Sequence, residues 1–579
     1  NGMSIDKEKK YLREAESKGL YSCLAAYTKL SGPGWLQSAI TLGGGSLASS
    51  LFLGVLAGYS LLWLQPIAII LGIIMLSAIS HVTLSTGQSP FVSINSEINP
   101  VLGWGWAIAT IMANIVWCLP QFTLGTAAVT QNLIPALNNT GGKVLVVTTL
   151  LILAGIVIWA YEKGNKGVKT FDLILKIMVA LVVLSFFGVV IKMGTAGNLP
   201  WSEIAQGFVP NLSLLNQPDE VYTNFLKETG NFRTFWEDKI VQMQRDVMIA
   251  AAATAVGINM TFFMPFVLLN RKWGREHRGL AKFDLWTALL IPYIVATSCV
   301  VIAAGSQFNG KPESAYQDYE NRILHENLVK GYNQFITERL ELEFGKDQFS
   351  SLAPVQKKEK FMAIPESDKQ LAAMLVKRDA FNLAASLESL LENKTFSHYI
   401  FGTGVVGMAL STIIILMTIN GHAVCEVLGK PHRGPIFLTG AYIAGIGVLG
   451  PFVWSDAAFW LAVPTSILGF TLIPVAYLSF FLLINSKKVL GRERPQGFGR
   501  IIWNIGLLLS LSIMGTAAFY VAWNKSWGDI PFGRIALIGF GILLLIGHFS
   551  LQNKKLIKKS EAIDLKIQQL KKNIESLKN

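Results

Sequence analysis

Apolar windows of about 20 residues recur along the chain, each long enough to cross the hydrocarbon core of a bilayer as a helix. They predict twelve spans, at roughly 35–57, 59–83, 102–134, 143–162, 170–193, 247–270, 282–305, 397–420, 434–453, 457–485, 499–523 and 531–550. The second begins almost directly after the first, and the third is long enough to include an interfacial turn around Pro120. Lys and Arg gather in every second connection: Lys163, Lys166 and Lys169; Arg271, Lys272, Arg275 and Arg278; Lys430 and Arg433; Lys487, Lys488, Arg492 and Arg494. The other short connections nearly lack them, and Asp456 makes one acidic. This alternation predicts an integral protein of the inner or plasma membrane, both termini cytoplasmic and all four basic clusters inside.

The expected order along the chain follows. Residues 1–34 form a cytoplasmic segment, 35–195 a first repeat of five spans, 196–246 an outward insert and 247–305 spans six and seven. Residues 306–396 form a second outward insert, 397–485 spans eight to ten, 486–551 the last two spans and 552–579 a cytoplasmic tail. The polar first thirty residues, with no cleavable signal in view, predict entry into the membrane through the first span. The second insert has helical periodicity in 322–343 and 368–392 (Leu371, Leu375, Phe381, Leu387, Leu391), which suits a small cap over the outer face. Packing is its plainer role, with gating or partner binding as the other. In the tail, Leu556, Ile563, Ile567, Leu570, Ile574 and Leu577 keep a heptad spacing. That fits a short coiled coil through which the chain could self-associate, or an amphipathic helix lying on the protein or membrane.

Two spans are interrupted. The first reads Gly43-Gly44-Gly45-Ser46 at its middle, and three glycines weaken a helix by roughly 3 kcal/mol relative to alanine. Broken backbone at membrane depth persists where it lines a cavity, though small residues also permit a tight helix crossing. The sixth, Val256-Gly257-Ile258-Asn259-Met260-Thr261-Phe262-Phe263-Met264-Pro265-Phe266, carries a proline that frees the Thr261 carbonyl. One interruption opens the first five spans and the other opens the next five, the pattern of an inverted-repeat transporter with its site near the midplane.

Composition agrees. Over 579 residues, 51% are hydrophobic and 15% charged, with mean hydropathy +0.44, against about 25% charged in soluble domains. The net charge of +13 sits in short loops, so it reads as topology and not as a nucleic-acid surface. Cys23, Cys118, Cys299 and Cys425 show no paired spacing, hence neither a disulfide framework nor a zinc site. No nucleophile–base pattern, phosphate loop or His/Cys cluster appears, so neither an enzyme nor a resident cofactor is expected. The partners expected are the lipid bilayer and a small-molecule or ion substrate.

Gly32-Pro33-Gly34-Trp35-Leu36, followed by Gly58-Tyr59-Ser60-Leu61-Leu62-Trp63, resembles the first-helix signature of Nramp divalent-metal transporters. The sixth span is similar to that family's Val-Gly-Ile…Met-Pro-His segment. Thr418-Ile419-Asn420-Gly421-His422, running to Glu426, is similar to its Thr-Leu-Ala-Gly-Gln…Glu stretch. The resemblance covers about 32–195, 247–305 and 397–490. It implies an all-α polytopic fold of the LeuT type, a 5+5 inverted repeat with helices 1 and 6 broken, and secondary transport of metal ions by alternating access.

The departures fall on the substrate site that the resemblance implies. The metal-binding Asp-Pro-Gly-Asn falls on Gly43, Gly44, Gly45 and Ser46. The ligating methionine persists as Met264, with Thr261 supplying the carbonyl if a metal is bound, but the histidine that follows is Phe266. Asn114 and Gln121 stand where third-helix acids are expected. Hard cations need carboxylates or several hard oxygens, so this set is poor for transition metals. Gly43 to Ser46, Asn114, Gln121, Asn259, Thr261, Met264 and Phe266, with Trp117 as a further wall, suit a small neutral or zwitterionic solute, each being ordinary helix-packing glue when taken alone. A non-transporting receptor on the same scaffold is a further alternative.

Among the remaining ionisable residues, Asp172 and Lys176 lie one turn apart on the fifth span and suit mutual neutralisation. Otherwise almost no ionisable residue is expected deep within a span. His81, His277 and His432 fall at helix ends where interfacial solvation is the default, and His422 is the gating or proton candidate.

Overall fold

The computed structural model describes the chain apart from residues 1–4, 164, 198, 313–325, 379–393, 455–457, 527 and 579, and apart from some side chains inside helices. Counting the bent pair Pro33–Thr41 and Gly44–Ala57 as one, eleven helices or helix runs among the described residues are long and apolar enough to span a bilayer. They coincide with eleven of the expected spans. The fifth expected span coincides with the helix Asn165–Thr195, where the Asp172 side chain lies outside the described set. The third helix, Pro100–Ala127, runs through Pro120 without the expected turn and ends in a π turn, Ala128–Leu133. Close packing holds it there: Gly447 lies against Cys118, and Gly450 against the Leu119 carbonyl.

Both interruptions are real. Half-helix 1a (Pro33–Thr41) and half-helix 1b (Gly44–Ala57) meet at 53°, with Leu42 and Gly43 between them. Half-helix 6a (Arg233–Ala255) and half-helix 6b (Ile258–Asn270) are separated by Val256 and Gly257, both extended. The sixth break therefore precedes Met264-Pro265, and 6b continues through the proline. Half-helix 6a also starts inside the stretch expected to be insert, because its first turns carry charge that solvent or the cap satisfies.

The apolar interior divides into two cores. One contains 1a, 6b, the second helix from Ala68 to Leu84, and the stretches 413–425 and 470–484. The other contains 1b, most of 6a, the stretches 401–408 and 460–467, and the cap residues Leu328 to Val376. Each break, and the change of core along the eighth and tenth helices, falls at the same level.

At one end of the bundle the basic connections converge. Arg278 and Arg275 bind Glu493 at 2.7 and 3.2 Å, and His81 Nε2 lies 2.9 Å from the Glu493 carbonyl. Two N-terminal helices, Ile5–Ser17 and Leu20–Leu30, join them through Arg13–Glu276 (3.1 Å) and Glu8–His277 (3.4 Å). His277 is fully buried and stacked on Trp273, not solvated as expected. At the other end the cap helices Glu326–Phe344 and Glu366–Leu375 clamp onto 6a. Trp236 Nε1 donates to Asp368 Oδ1 at 2.7 Å, and Arg339 Nε to the same atom at 3.0 Å. The expected continuation through Phe381, Leu387 and Leu391 lies outside the described residues.

The tail continues the last span as one helix, Phe532–Lys578. Leu556, Ile563, Ile567, Leu570 and Ile574 remain exposed along it, so it does not lie on the rest of its own chain. The Leu577 side chain is outside the described set.

Candidate functional site

A small pocket lies at the level where the two cores meet. Its walls include Thr41, Gly43, Gly45 and Ser46 from the first helix, Trp117 and Gln121 from the third, and Thr254, Gly257, Asn259 and Met260 from the sixth. Thr412 comes from the eighth helix and Ser466 from the tenth. No lining residue is ionisable. In each of these helices the apolar pattern is interrupted here by a hydroxyl or amide, and this polar layer separates the two cores.

The exposed backbone of the breaks is partly satisfied internally. Gln121 Oε1 accepts from Gly44 N at 3.0 Å, which caps the N-terminus of 1b with a neutral oxygen. Ser46 Oγ returns to the Gly43 carbonyl at 3.0 Å. Thr41 Oγ1 donates toward the Gln37 carbonyl (3.0 Å) and lies 3.3 Å from both the Ala255 carbonyl and Met260 Sδ, linking the end of 1a to the end of 6a. Ser49 and Thr254 hydroxyls meet at 3.2 Å on the opposite side. Asn259 Oδ1 accepts from Met260 N at 2.8 Å, which fixes the orientation of its amide. Its Nδ2 is buried and has no partner within the protein. An unpaired donor in such a place is a strong recognition group, since leaving it unmet costs about 1–3 kcal/mol.

The glycines serve close approach here, not unusual backbone angles; Gly43 has φ −93°. A Cβ on Gly43 would collide with Thr412 Oγ1, and one on Gly44 would come within 2.6 Å of Gln121 Oε1. Gly44 and Gly45 belong to the first turn of 1b, so only one glycine of the run stands in the break.

Of the residues expected from sequence, Gly43, Gly45, Ser46, Gln121 and Asn259 line the pocket, and Gly44 lies behind it against Gln121. Trp117, expected as a wall, lines it too; Thr261, Met264, Asn114 and Phe266 do not. Thr261 Oγ1 receives Trp106 Nε1 at 3.0 Å, and Met264 Sδ lies 3.4 Å from Gln37 Nε2. Asn114 Nδ2 reaches Asn420 Oδ1 at 3.5 Å. Phe266 stacks on His422, with centroids 4.9 Å apart and planes 6° apart. The thioether facing the pocket is that of Met260, one turn before Met264, because the break occurs at Val256–Gly257. Met260, Thr254, Thr412 and Ser466 were not expected. They appear in sequence only as lone polar or sulfur positions in apolar runs, which looks the same for helix packing.

A further group escaped the sequence reading. Asp284, fully buried, accepts from Gly32 N at 3.1 Å, Gly34 N at 2.5 Å and the Ser31 hydroxyl. A carboxylate thus caps 1a at the positive end of its dipole. The Arg271 guanidinium lies against Gly32 beside it. Asp284 sits at the start of the seventh span, where a lone acid entering an apolar run was the available signal.

Comparison with known proteins places this arrangement. The family model described as natural resistance-associated macrophage protein-like matches residues 34–323. The curated "Metal transporter Nramp6.2" of Populus trichocarpa is 27% identical over 184 residues, which cover 31% of this chain and 31% of that protein. The match therefore spans about a third of the relative's length. A crystal structure of the Eremococcus coleocola manganese transporter with an aromatic bis-isothiourea compound superposes with TM-score 0.57 at 14% identity. It covers 92% of this chain and 96% of that one. A single-residue variant of the same transporter gives TM-score 0.58 at 12% identity, with the same coverage. The fold is accordingly the all-α, LeuT-type arrangement with its first and sixth helices broken.

Proposed function

We propose that this chain, which belongs to the Nramp family, is a secondary transporter that works by alternating access and binds its substrate between the breaks of the first and sixth helices. The observation that carries this is the coincidence of the pocket with the polar layer between two separate apolar cores. Half-helices 1a and 6b belong to one core and 1b and most of 6a to the other. Packed cores move as bodies. A site shared between two such bodies can face either end of the bundle as they rock.

The substrate favoured by the lining is a small neutral or zwitterionic polar solute. Gln121, Ser46, Thr412 and Ser466 offer hydroxyl and amide oxygens, Asn259 Nδ2 a donor, and Trp117 an aromatic wall. A metal ion such as manganese, for which the relatives are named, would have one thioether and neutral oxygens but no carboxylate. Among the described residues no group of three or more His, Cys, Asp or Glu could hold a metal. Thermal-shift screening of the purified protein separates these readings. Stabilisation by an amino acid, amine or small acid that is lost in Asn259→Ala supports the solute reading. Silence from all of those beside clear stabilisation by Mn²⁺ overturns it.

The basic end of the bundle is cytoplasmic in this proposal, by the charge bias of its loops. The exposed heptad stripe of the tail pairs with the tail of a second copy, since two copies in one membrane present it in parallel. Light scattering in detergent should show a smaller assembly after deletion of 553–579. An unchanged mass removes the pairing.

A further inference from the structure

At the basic end, away from the pocket, one hydrogen-bonded chain joins three transmembrane helices and two connections. Asn270 Nδ2, at the end of 6b, donates to Tyr161 Oη at 3.0 Å, and Tyr161 Oη lies 3.1 Å from His422 Nε2. His422 Nδ1 faces His432 Nδ1 at 3.2 Å, and His432 Nε2 lies 2.9 Å from Glu426 Oε2. Ser89, from the connection after the second helix, donates to Glu426 Oε1 at 2.7 Å. His422 is buried, whereas the His432 side chain is 30% exposed at the mouth of the chain. Phe266 of 6b packs on both rings, 4.9 Å from His422 and 4.7 Å from His432.

The proton positions follow from the partners. With both rings neutral, His432 donates Nε2–H to the Glu426 carboxylate, so its Nδ1 is an acceptor. His422 then donates Nδ1–H and accepts the Tyr161 hydroxyl at Nε2. One added proton is tolerated: His432 becomes a cation beside Glu426, and His422 keeps the pair bonded by carrying its own hydrogen on Nε2. With two added protons neither Nδ1 can accept. Two imidazolium cations then face each other across the gap where the bond had been.

We infer that the His422–His432 pair, held between Tyr161 and Glu426, is a proton-binding latch that ties half-helix 6b to the fourth and eighth helices and closes the basic end of the pathway. The other titratable or charged neighbours are few. The fourth helix adds Glu162, which accepts from Gly434 N at 2.9 Å, and the eighth adds Cys425. The eighth-to-ninth connection brings Lys430 and Arg433; among the described residues the ninth helix presents Phe437, and 6b presents Phe263, Phe266 and Asn270. Glu426 is the carboxylate bonded directly to the pair, and Glu162 is the further acid beside it. The connection to transport rests on the alternating-access reading, but the latch can be measured without any substrate.

The test is hydrogen exchange by mass spectrometry on the full chain in detergent, corrected for intrinsic rates, between about pH 8 and pH 5, where histidine titrates. Segment 258–270 should exchange about tenfold faster at the acid end, the change expected for a one-unit preference of a proton for the open form. His422→Gln and His432→Gln should abolish this dependence, and Glu426→Gln should move the opening to higher pH. His432→Gln touches a partly exposed side chain, so it gives a reading even if the buried variant does not fold. A wild-type segment indifferent to pH, a dependence preserved in His432→Gln, or an unmoved transition in Glu426→Gln each overturns the latch. If the latch holds and no substrate class is ever transported, only the transporter reading fails.

Discussion

Half-helix 1a should depend on Asp284 more than on any residue of its own. Its N-terminus presents Gly32 N–H and Gly34 N–H to that carboxylate, and Ser31 adds a hydroxyl. Asp284→Ala leaves three donors without an acceptor in a buried place. Hydrogen bonds to a charged group contribute about 1.5–3 kcal/mol each. Loss of an anion at a helix N-terminus adds about 0.3–1 kcal/mol. The gross loss is thus roughly 5–10 kcal/mol, reduced because water and the neighbouring Arg271 can rearrange, and we expect about 4 kcal/mol of local opening energy. At 1.36 kcal/mol per factor of ten that is a protection loss of about a thousandfold. Hydrogen exchange of peptides covering 33–41 measures it directly. Asp284→Asn retains one acceptor oxygen and should fall between, near 2 kcal/mol. Protection of 33–41 within tenfold of the wild type in Asp284→Ala refutes the view that this carboxylate holds 1a in place.

Three other outcomes are expected. Gly43→Ala drives a methyl into Thr412 Oγ1 and should cost about 1–3 kcal/mol, lowering the detergent melting temperature, with partial rescue by Thr412→Ala; lack of any rescue separates the two residues. Glu493 is held below the usual carboxylate range, first by the hydrogen bond from Arg278 and also by Arg275, so its stabilising effect is present above its unfolded pKa and lost as pH falls through the lower folded value. Exchange in 487–494 should therefore rise on acidification, and Glu493→Gln should remove that rise. Burial pushes Asp219 upward, so its carboxylate costs stability once pH exceeds the unfolded value. Asp219→Asn keeps the bond from Val221 N and should raise the melting temperature at neutral pH but not near pH 3, and equal effects at both would reject the assignment.

The Gly43–Thr412 contact also bears on the family comparison. A carboxylate at position 43 has no room while Thr412 Oγ1 stands there. Gly43→Asp alone therefore does not rebuild a metal site, because the new side chain meets Thr412. An uptake assay for Mn²⁺ should use Gly43→Asp with Thr412→Ala.

The spans, their alternation of basic ends and the two interruptions were legible along the chain, because lipid forces each crossing to be a long apolar helix and any break to be conspicuous. The region around Gly43 to Ser46, where the pocket lies, was conspicuous for the same reason. Which side chains face the pocket was not. The sixth helix carries both a Val256-Gly257 pair and a Met264-Pro265 pair, and packing decided that the first opens and the second remains helical. That choice turned Met260 toward the pocket and left Met264 beside Gln37. Isolated hydroxyls such as Thr412 and Ser466 became a polar layer only when five helices placed them at one level. Likewise His422 stood out in sequence as a gating or proton candidate, but only the tertiary structure joins it to Tyr161, His432 and Glu426 in one hydrogen-bonded chain. Local apolarity determines where a chain crosses a membrane, whereas the meeting of distant polar atoms depends on how the crossings pack.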